Sequence, residues 1–292
     1  MSEASARTPP TPTERRFALT GLTLAAQVWG KPGRLPVLAA HGWLDNAASF
    51  DLLAPLLPDY ELVALDLAGH GFSGFRSDDS AYNLWQDVGD FLDVLDQLGW
   101  ARSTLLGHSR GAAISVLFAA AFPERVDKLV LIEGGAPLVA AADDAPAMLV
   151  QALLDRRRLR GKTGRVFADR ARAIQERAQG FTKISLAAAE ILARRSLREV
   201  PGGFQWHADQ RLKGASALRL TADHVRAFVR RVSAPVLLVL ADDGPFARLP
   251  IYEEMIRLFP AVEVVRMTGG HHLHLEGAEV EIARRIRDFL AA

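Results

Sequence analysis

The sequence predicts an α/β protein: a mostly parallel sheet of eight strands, helices on both faces, and a helical segment inserted between the two halves of the sheet. Three observations carry that expectation. Short apolar runs alternate with helical patterns up to about residue 135 and again from about residue 229. Between those stretches the pattern is helical, with no convincing strand. One apolar run, Thr104-Leu105-Leu106, ends in Gly107-His108-Ser109-Arg110-Gly111 and passes directly into small residues of helical character.

Residues 15–20 and 22–29 read as an opening antiparallel pair. Residues 37–40, 61–67, 103–106 and 128–132 follow as buried strands, and 236–240 with 262–267 complete the eight. Residues 82–98 read as a helix because Leu84, Val88, Phe91, Leu92 and Leu95 fall at helical spacing. Residues 111–121, 251–258 and 280–290 are the other core helices. Inside the insert, residues 147–158, 165–179 and 185–195 carry helical patterns. The expected organisation is a core of residues 14–135 and 229–292, a helical cap of 136–228, and a disordered leader of 1–13, which is polar and rich in Pro, Ser and Thr.

Composition narrows the function. The chain has 292 residues, of which 49% are hydrophobic, enough to bury a large core. Its 35 Lys plus Arg nearly balance its 34 Asp plus Glu, so no global charge points to nucleic acid or a membrane surface. There is no cysteine, which removes disulfides, thiolate metal sites and a cysteine nucleophile together. No stretch approaches the roughly 18 apolar residues of a membrane span. A soluble, cytoplasmic protein, monomer or homodimer, is expected. The charge is uneven, however: residues 136–228 hold 17 Lys plus Arg against 9 Asp plus Glu. The plain reading is a solvated helical surface. If one or two of these arginines face a pocket instead, an anionic ligand is favoured.

Gly-x-Ser-x-Gly between a strand and a helix describes a turn so tight that only small residues fit beside the serine, whose hydroxyl it pushes out at the carboxyl edge of the sheet. Ser is also a common helix N-cap, but the flanking glycines and the small residues that follow favour a nucleophile. Upstream, a buried strand runs into His41-Gly42-Trp43. Downstream, another leads into Gly269-Gly270-His271-His272-Leu273-His274.

These residues resemble an α/β-hydrolase over nearly the whole chain, and within that superfamily the chain is similar to the serine hydrolase-like proteins. The carriers are His41-Gly42-Trp43-Leu44-Asp45-Asn46-Ala47 with Ser49-Phe50-Asp51, Gly69-His70-Gly71 with Ser73, the serine turn, Val126-Asp127-Lys128-Leu129-Val130-Leu131, and Asp209-Gln210-Arg211-Leu212. The resemblance implies a capped hydrolase that uses neither metal nor cofactor. It makes Ser109 the nucleophile and His271 the base, and places the oxyanion hole at the backbone N–H groups of Trp43 and Arg110. His272, His274, His207 and His224 are read as ordinary structural histidines and His108 as a packing residue. A three-histidine metal set is not expected, because the histidines lack a carboxylate at metal-ligand spacing.

Two slots compete for the acid. In the commoner pattern it follows the strand at 236–240, but Gly244 stands in that slot, with Asp242 and Asp243 one or two residues early. The other slot ends the strand at 128–132, where Glu133 stands. A glutamate ending an apolar buried strand needs a partner, and an imidazole supplies one. Glu133 is the favoured acid and Asp243 the alternative. The function expected is a serine hydrolase acting on an ester, thioester or related acyl compound, a small-molecule substrate. A carbon–carbon bond hydrolase or a perhydrolase would use the same residues, and a non-catalytic ligand-binding protein on the same fold is the alternative from another class. Epoxide hydrolysis is disfavoured, since the nucleophile is Ser and residues 136–228 contain no Tyr.

Overall fold

In the computed structural model, residues 11–246 and 249–292 are described. Most of the expected leader, residues 1–10, lies outside them, and Thr13 already opens the first strand. Eight strands form the main sheet: β1 (Thr13–Leu19), β2 (Leu22–Trp29), β3 (Leu35–Ala40), β4 (Tyr60–Leu65), β5 (Ser103–His108), β6 (Val126–Ile132), β10 (Val236–Ala241) and β11 (Val262–Met267). Their spatial order is β1-β2-β4-β3-β5-β6-β10-β11. Only β1 with β2 and β2 with β4 pair antiparallel; the rest of the sheet is parallel.

The central strands are buried on both faces, which is why they read as continuous apolar runs. Alternate residues serve opposite layers. Leu38, Leu105, Leu129, Leu131 and Leu238 face one core with α1 (Leu84–Leu98) and α2 (Arg110–Ala121). Ala39, Leu106, Val130, Ile132 and Val239 face the other with the closing helix Glu279–Ala291. Local chemistry sets the ends of α1: Asn83 and Gln86 form a capping box, and Gly99 closes the helix in the left-handed region. Ten of the twelve residues of α2 are buried, so it lies sandwiched in the molecule and holds the turn before it rigid.

Between β6 and β10 run α3 (Ala145–Leu159), β7 (Val166–Phe167), α4 (Arg170–Ala178), α5 (Leu186–Ser196), β8 (Leu197–Val200), β9 (Gly203–Trp206) and α6 (Ala222–Arg231). The sequence reading expects no strand here, yet β7, β9 and β8 form a small antiparallel sheet. The helix expected at 165–179 is divided, with Asp169 capping α4 after β7. These strands hold two to four residues and are half-exposed, so they carry no apolar run; their pairing is set by the turn at Pro201-Gly202 and by contact with α4. The expected boundary at 228/229 falls inside α6, whose Val225 and Val229 belong to the same core as α2.

The insert closes over the loops that follow β3 and β4. Asn46 Nδ2 donates to the Leu192 carbonyl at 2.9 Å, and the Asp209 N–H donates to the Gly69 carbonyl at 3.0 Å. Arg195 Nε donates to both oxygens of Asp66, at 2.9 and 2.7 Å, in a pair 3% and 0% exposed. Asp66 also accepts the N–H groups of Ala47 and Phe72. A buried pair of this kind adds little net stability over apolar packing, but it fixes where the insert sits, because leaving either charge alone is expensive. Among the described residues, no helix is long and apolar enough to cross a membrane.

Candidate active site

Ser109 lies between the last residue of β5 and the first of α2, with φ +52° and ψ −110°, a region that side chains other than hydrogen rarely adopt. Its neighbours show why the turn needs glycine. A Cβ at Gly107 would lie 2.5 Å from the Ala112 backbone, and one at Gly111 would lie 2.0 Å from the Ala40 carbonyl oxygen. The turn is tied down by Ser109 N–H to the Ile132 carbonyl at 3.0 Å and by Gly111 N–H to the His41 carbonyl at 3.1 Å.

Three side chains from distant segments meet there. His271, after β11, places Nε2 3.0 Å from Ser109 Oγ. Its Nδ1 lies 3.1 Å from Glu133 Oε2. Glu133 directly follows β6, is 0% exposed, and accepts the Ala241 N–H on Oε1 at 2.6 Å. Asp243, the alternative, stands exposed on the turn after β10, its N–H bonded to the Gly269 carbonyl. The carboxylate on His271 Nδ1 is that of Glu133.

A family model described as alpha/beta hydrolase fold matches residues 36–278. The chain belongs to that family. A serine hydrolase-like protein of Danio rerio is 32% identical over 296 residues, covering 95% of this chain and 88% of its own. Serine hydrolase-like protein 2 of Homo sapiens is 32% identical, covering 99% and 97%. The crystal structure of a hypothetical protein from Pseudomonas aeruginosa PAO1 superposes with a TM-score of 0.92 at 46% identity, covering 96% of this chain and 99% of that one.

In this member of the α/β-hydrolase family the N–H groups of Trp43 and Arg110 have no acceptor among the described residues, whereas the neighbouring Leu44 N–H is taken by His70 Nε2 at 3.2 Å. The Arg110 side chain turns aside to Asp87, at 2.5 Å, which Arg76 shares at 3.1 Å. Trp43 points its ring at the insert, donating Nε1–H to the Leu212 carbonyl at 3.0 Å and packing edge-on against Phe181. With Leu44, Asp45, Phe167, Arg177 and Trp206 it lines a cavity of about 210 Å³ under the insert. Two of the expected arginines do reach this cavity, but each is paired: Arg165 with Glu176 at 2.6 Å and Arg177 with Asp45 at 2.8 Å. Lys213, also lining it, makes no ion pair among the described residues.

Four histidines around the site are buried and held neutral. Burial first, then the neighbouring His70, pushes His41 down to about 3. Burial, then the Arg110 charge, brings His70 to about 4. Burial, then His272, lowers His274 to about 3, and burial with the histidines around it holds His108 well below its ordinary value. Each staples a loop. His41 Nε2 accepts the Leu67 N–H, His108 Nε2 donates to the His271 carbonyl at 2.9 Å, and His274 Nε2 lies 2.9 Å from Ser49 Oγ. His207 stacks on Phe75, and His224 joins Thr221 in a capping box on α6. The histidines do have a companion carboxylate, because Asp45 Oδ2 lies 2.9 Å from His272 Nε2 and 3.6 Å from His108 Nδ1. Asp45 lies far from both in sequence, and no spacing rule reaches it. Asp66 and Arg195 were also missed: Arg195 sits in an ordinary helical pattern, and nothing local marks it as buried.

Proposed function

We propose that this hydrolase cleaves an ester, thioester or related acyl substrate through an acyl-enzyme intermediate on Ser109. The observation that carries the reading is the chain of contacts Ser109 Oγ to His271 Nε2 to Glu133, at 3.0 and 3.1 Å. Ser109 Oγ attacks the carbonyl carbon while His271 Nε2 takes its proton. Glu133 holds the Nδ1–H tautomer and offsets the imidazolium charge. The N–H groups of Trp43 and Arg110 receive the oxyanion. His271 then returns the proton to the leaving group, and a water molecule repeats the sequence to free the acid.

Residues 136–228 act as the cap in this reading. The cavity beneath them is lined by Trp43 but by neither Ser109 nor His271, so it adjoins the serine through the oxyanion loop. Its cationic side chains are mostly neutralised by Glu176 and Asp45, so an anionic substrate rests on Lys213. Fluorophosphonate labelling followed by a panel of p-nitrophenyl esters tests the reading. One label on Ser109, with turnover of at least one ester of the panel, is expected. A folded protein that takes no label and hydrolyses no ester overturns it in favour of a binding protein.

A further inference from the structure

Directly beneath the serine site, Asp45, His108 and His272 each offer one ligand atom, all within 4.8 Å of one another, and all three residues are at most 2% exposed. We propose that they form a buried site for one borderline-soft divalent ion of the zinc type. The inference is independent of the acyl-transfer reading, since none of the three carries a bond-making or proton-transfer step in it.

The donor set is two imidazole nitrogens and a carboxylate oxygen, which suits zinc and its first-row neighbours better than the oxygen-seeking magnesium or calcium. The spacing agrees. Two donors on a tetrahedral zinc stand about 3.3 Å apart when each bond is about 2.0–2.1 Å, and the contacts of Asp45 Oδ2 are 2.9 Å to His272 Nε2 and 3.6 Å to His108 Nδ1. The orientation of His108 is the second observation. Its Nε2 faces the His271 carbonyl, which only accepts, so Nε2 carries the hydrogen. In the neutral ring Nδ1 then presents a lone pair, and this buried atom has no hydrogen-bond partner among the described residues. Nδ1 of His108 thus faces Asp45 Oδ2, which itself accepts the His272 Nε2–H at 2.9 Å; a cation among the three atoms takes the place of that proton, which moves to the unpartnered His272 Nδ1, and gives the His108 lone pair a partner.

The surroundings fit a ligand set. A metal-bound histidine usually donates its other N–H to a carbonyl or carboxylate, as His108 does to His271. Arg177 holds the second oxygen of Asp45 at 2.8 Å, leaving Oδ2 directed at the histidines. Gly42 opens onto the same gap: a Cβ there would lie 2.9 Å from His108 Nδ1 and 3.1 Å from Asp45 Oδ2. Access is from the cavity under the insert, whose lining includes both Asp45 and Arg177. Bound there, the ion clamps three segments at once, for Asp45 follows Trp43 by two residues, His108 precedes Ser109, and His272 follows His271.

The test titrates zinc chloride into chelator-treated full-length protein by calorimetry and repeats it with cobalt(II), reading the intense visible absorption of a low-coordinate cobalt ion. One ion per wild-type chain is expected, with affinity weakened at least about 100-fold in Asp45→Asn and in His272→Gln. His224→Ala, which removes an exposed histidine on α6, should bind as wild type does. If Asp45→Asn does not fold because Arg177 has lost its partner, His272→Gln decides alone. A wild-type chain that binds no stoichiometric ion overturns the proposal, and so does wild-type affinity in either folded variant, which would place the ion on surface histidines.

Discussion

Gly244 and Glu133 share one volume: a Cβ at position 244 would lie 2.1 Å from Glu133 Oε2. The slot where the commoner pattern of the fold carries its acid is therefore left without a side chain, and the carboxylate of Glu133 reaches into it from β6. Gly244→Ala should displace that carboxylate from His271 and lower ester turnover at least about 100-fold while the protein stays folded. Steady-state kinetics beside a circular dichroism spectrum checks this, and unchanged kcat would mean that Glu133 has room to move without consequence.

The same relationship separates the two acids. Glu133→Gln should lose orders of magnitude in turnover, because the amide cannot hold the imidazole in the right tautomer or stabilise its cation. Asp243→Asn should lose less than about threefold. The reverse ranking would sink the assignment of Glu133.

Ser109→Ala should lower hydrolysis by about 10³-fold or more. Ser109→Gly adds a readout of strain. At φ +52° a glycine relieves a cost of about 1–3 kcal/mol, so Ser109→Gly should melt above Ser109→Ala. Equal melting temperatures would show that the turn stores no strain.

Arg195→Met leaves Asp66 buried without its cation. Breaking one side of such a pair costs about 3–5 kcal/mol, and urea unfolding should record a loss of that size. A loss below about 1 kcal/mol would mean that the N–H groups of Ala47 and Phe72 suffice for Asp66.

Acid should destabilise the fold through its histidines. His41, His70 and His274 sit near 3, 4 and 3 when folded, with His108 well below its ordinary value, against 6.5 for the free side chain. A lowered folded value means that the unfolded chain takes protons the folded one refuses. The stabilisation is therefore full above about pH 6.5 and is lost as the pH falls toward 4. Each histidine contributes a slope of about 1.4 kcal/mol per pH unit in that window, so four of them should remove on the order of 5 kcal/mol between pH 7.5 and 5.5. Urea unfolding at the two pH values measures the difference, and a change under about 1 kcal/mol would contradict the burial of these rings as neutral species.

What was legible in the chain was what short-range physics writes locally. Gly107, Ser109 and Gly111 declare their turn because its steric demands fall within five residues, and the apolar runs of β4, β5 and β10 declare a doubly covered sheet because burial on both faces leaves no polar alternation. The helix read at residues 82–98 was legible for the same reason, whereas its caps at Asn83 and Gly99 came from the structure. The sequence could name Glu133 and Asp243 as candidates, but which of them meets His271 depends on β6 lying beside β10 and on the space above Gly244. The short strands β7, β8 and β9 carried no signal of their own, because a few half-exposed residues gain their pairing from what surrounds them. Asp66 with Arg195, and Asp45 with His272, are contacts across 129 and 227 residues. Only the tertiary structure could decide them, since a buried charge is partnered by whatever the topology brings beside it, and no local pattern records which residue that will be.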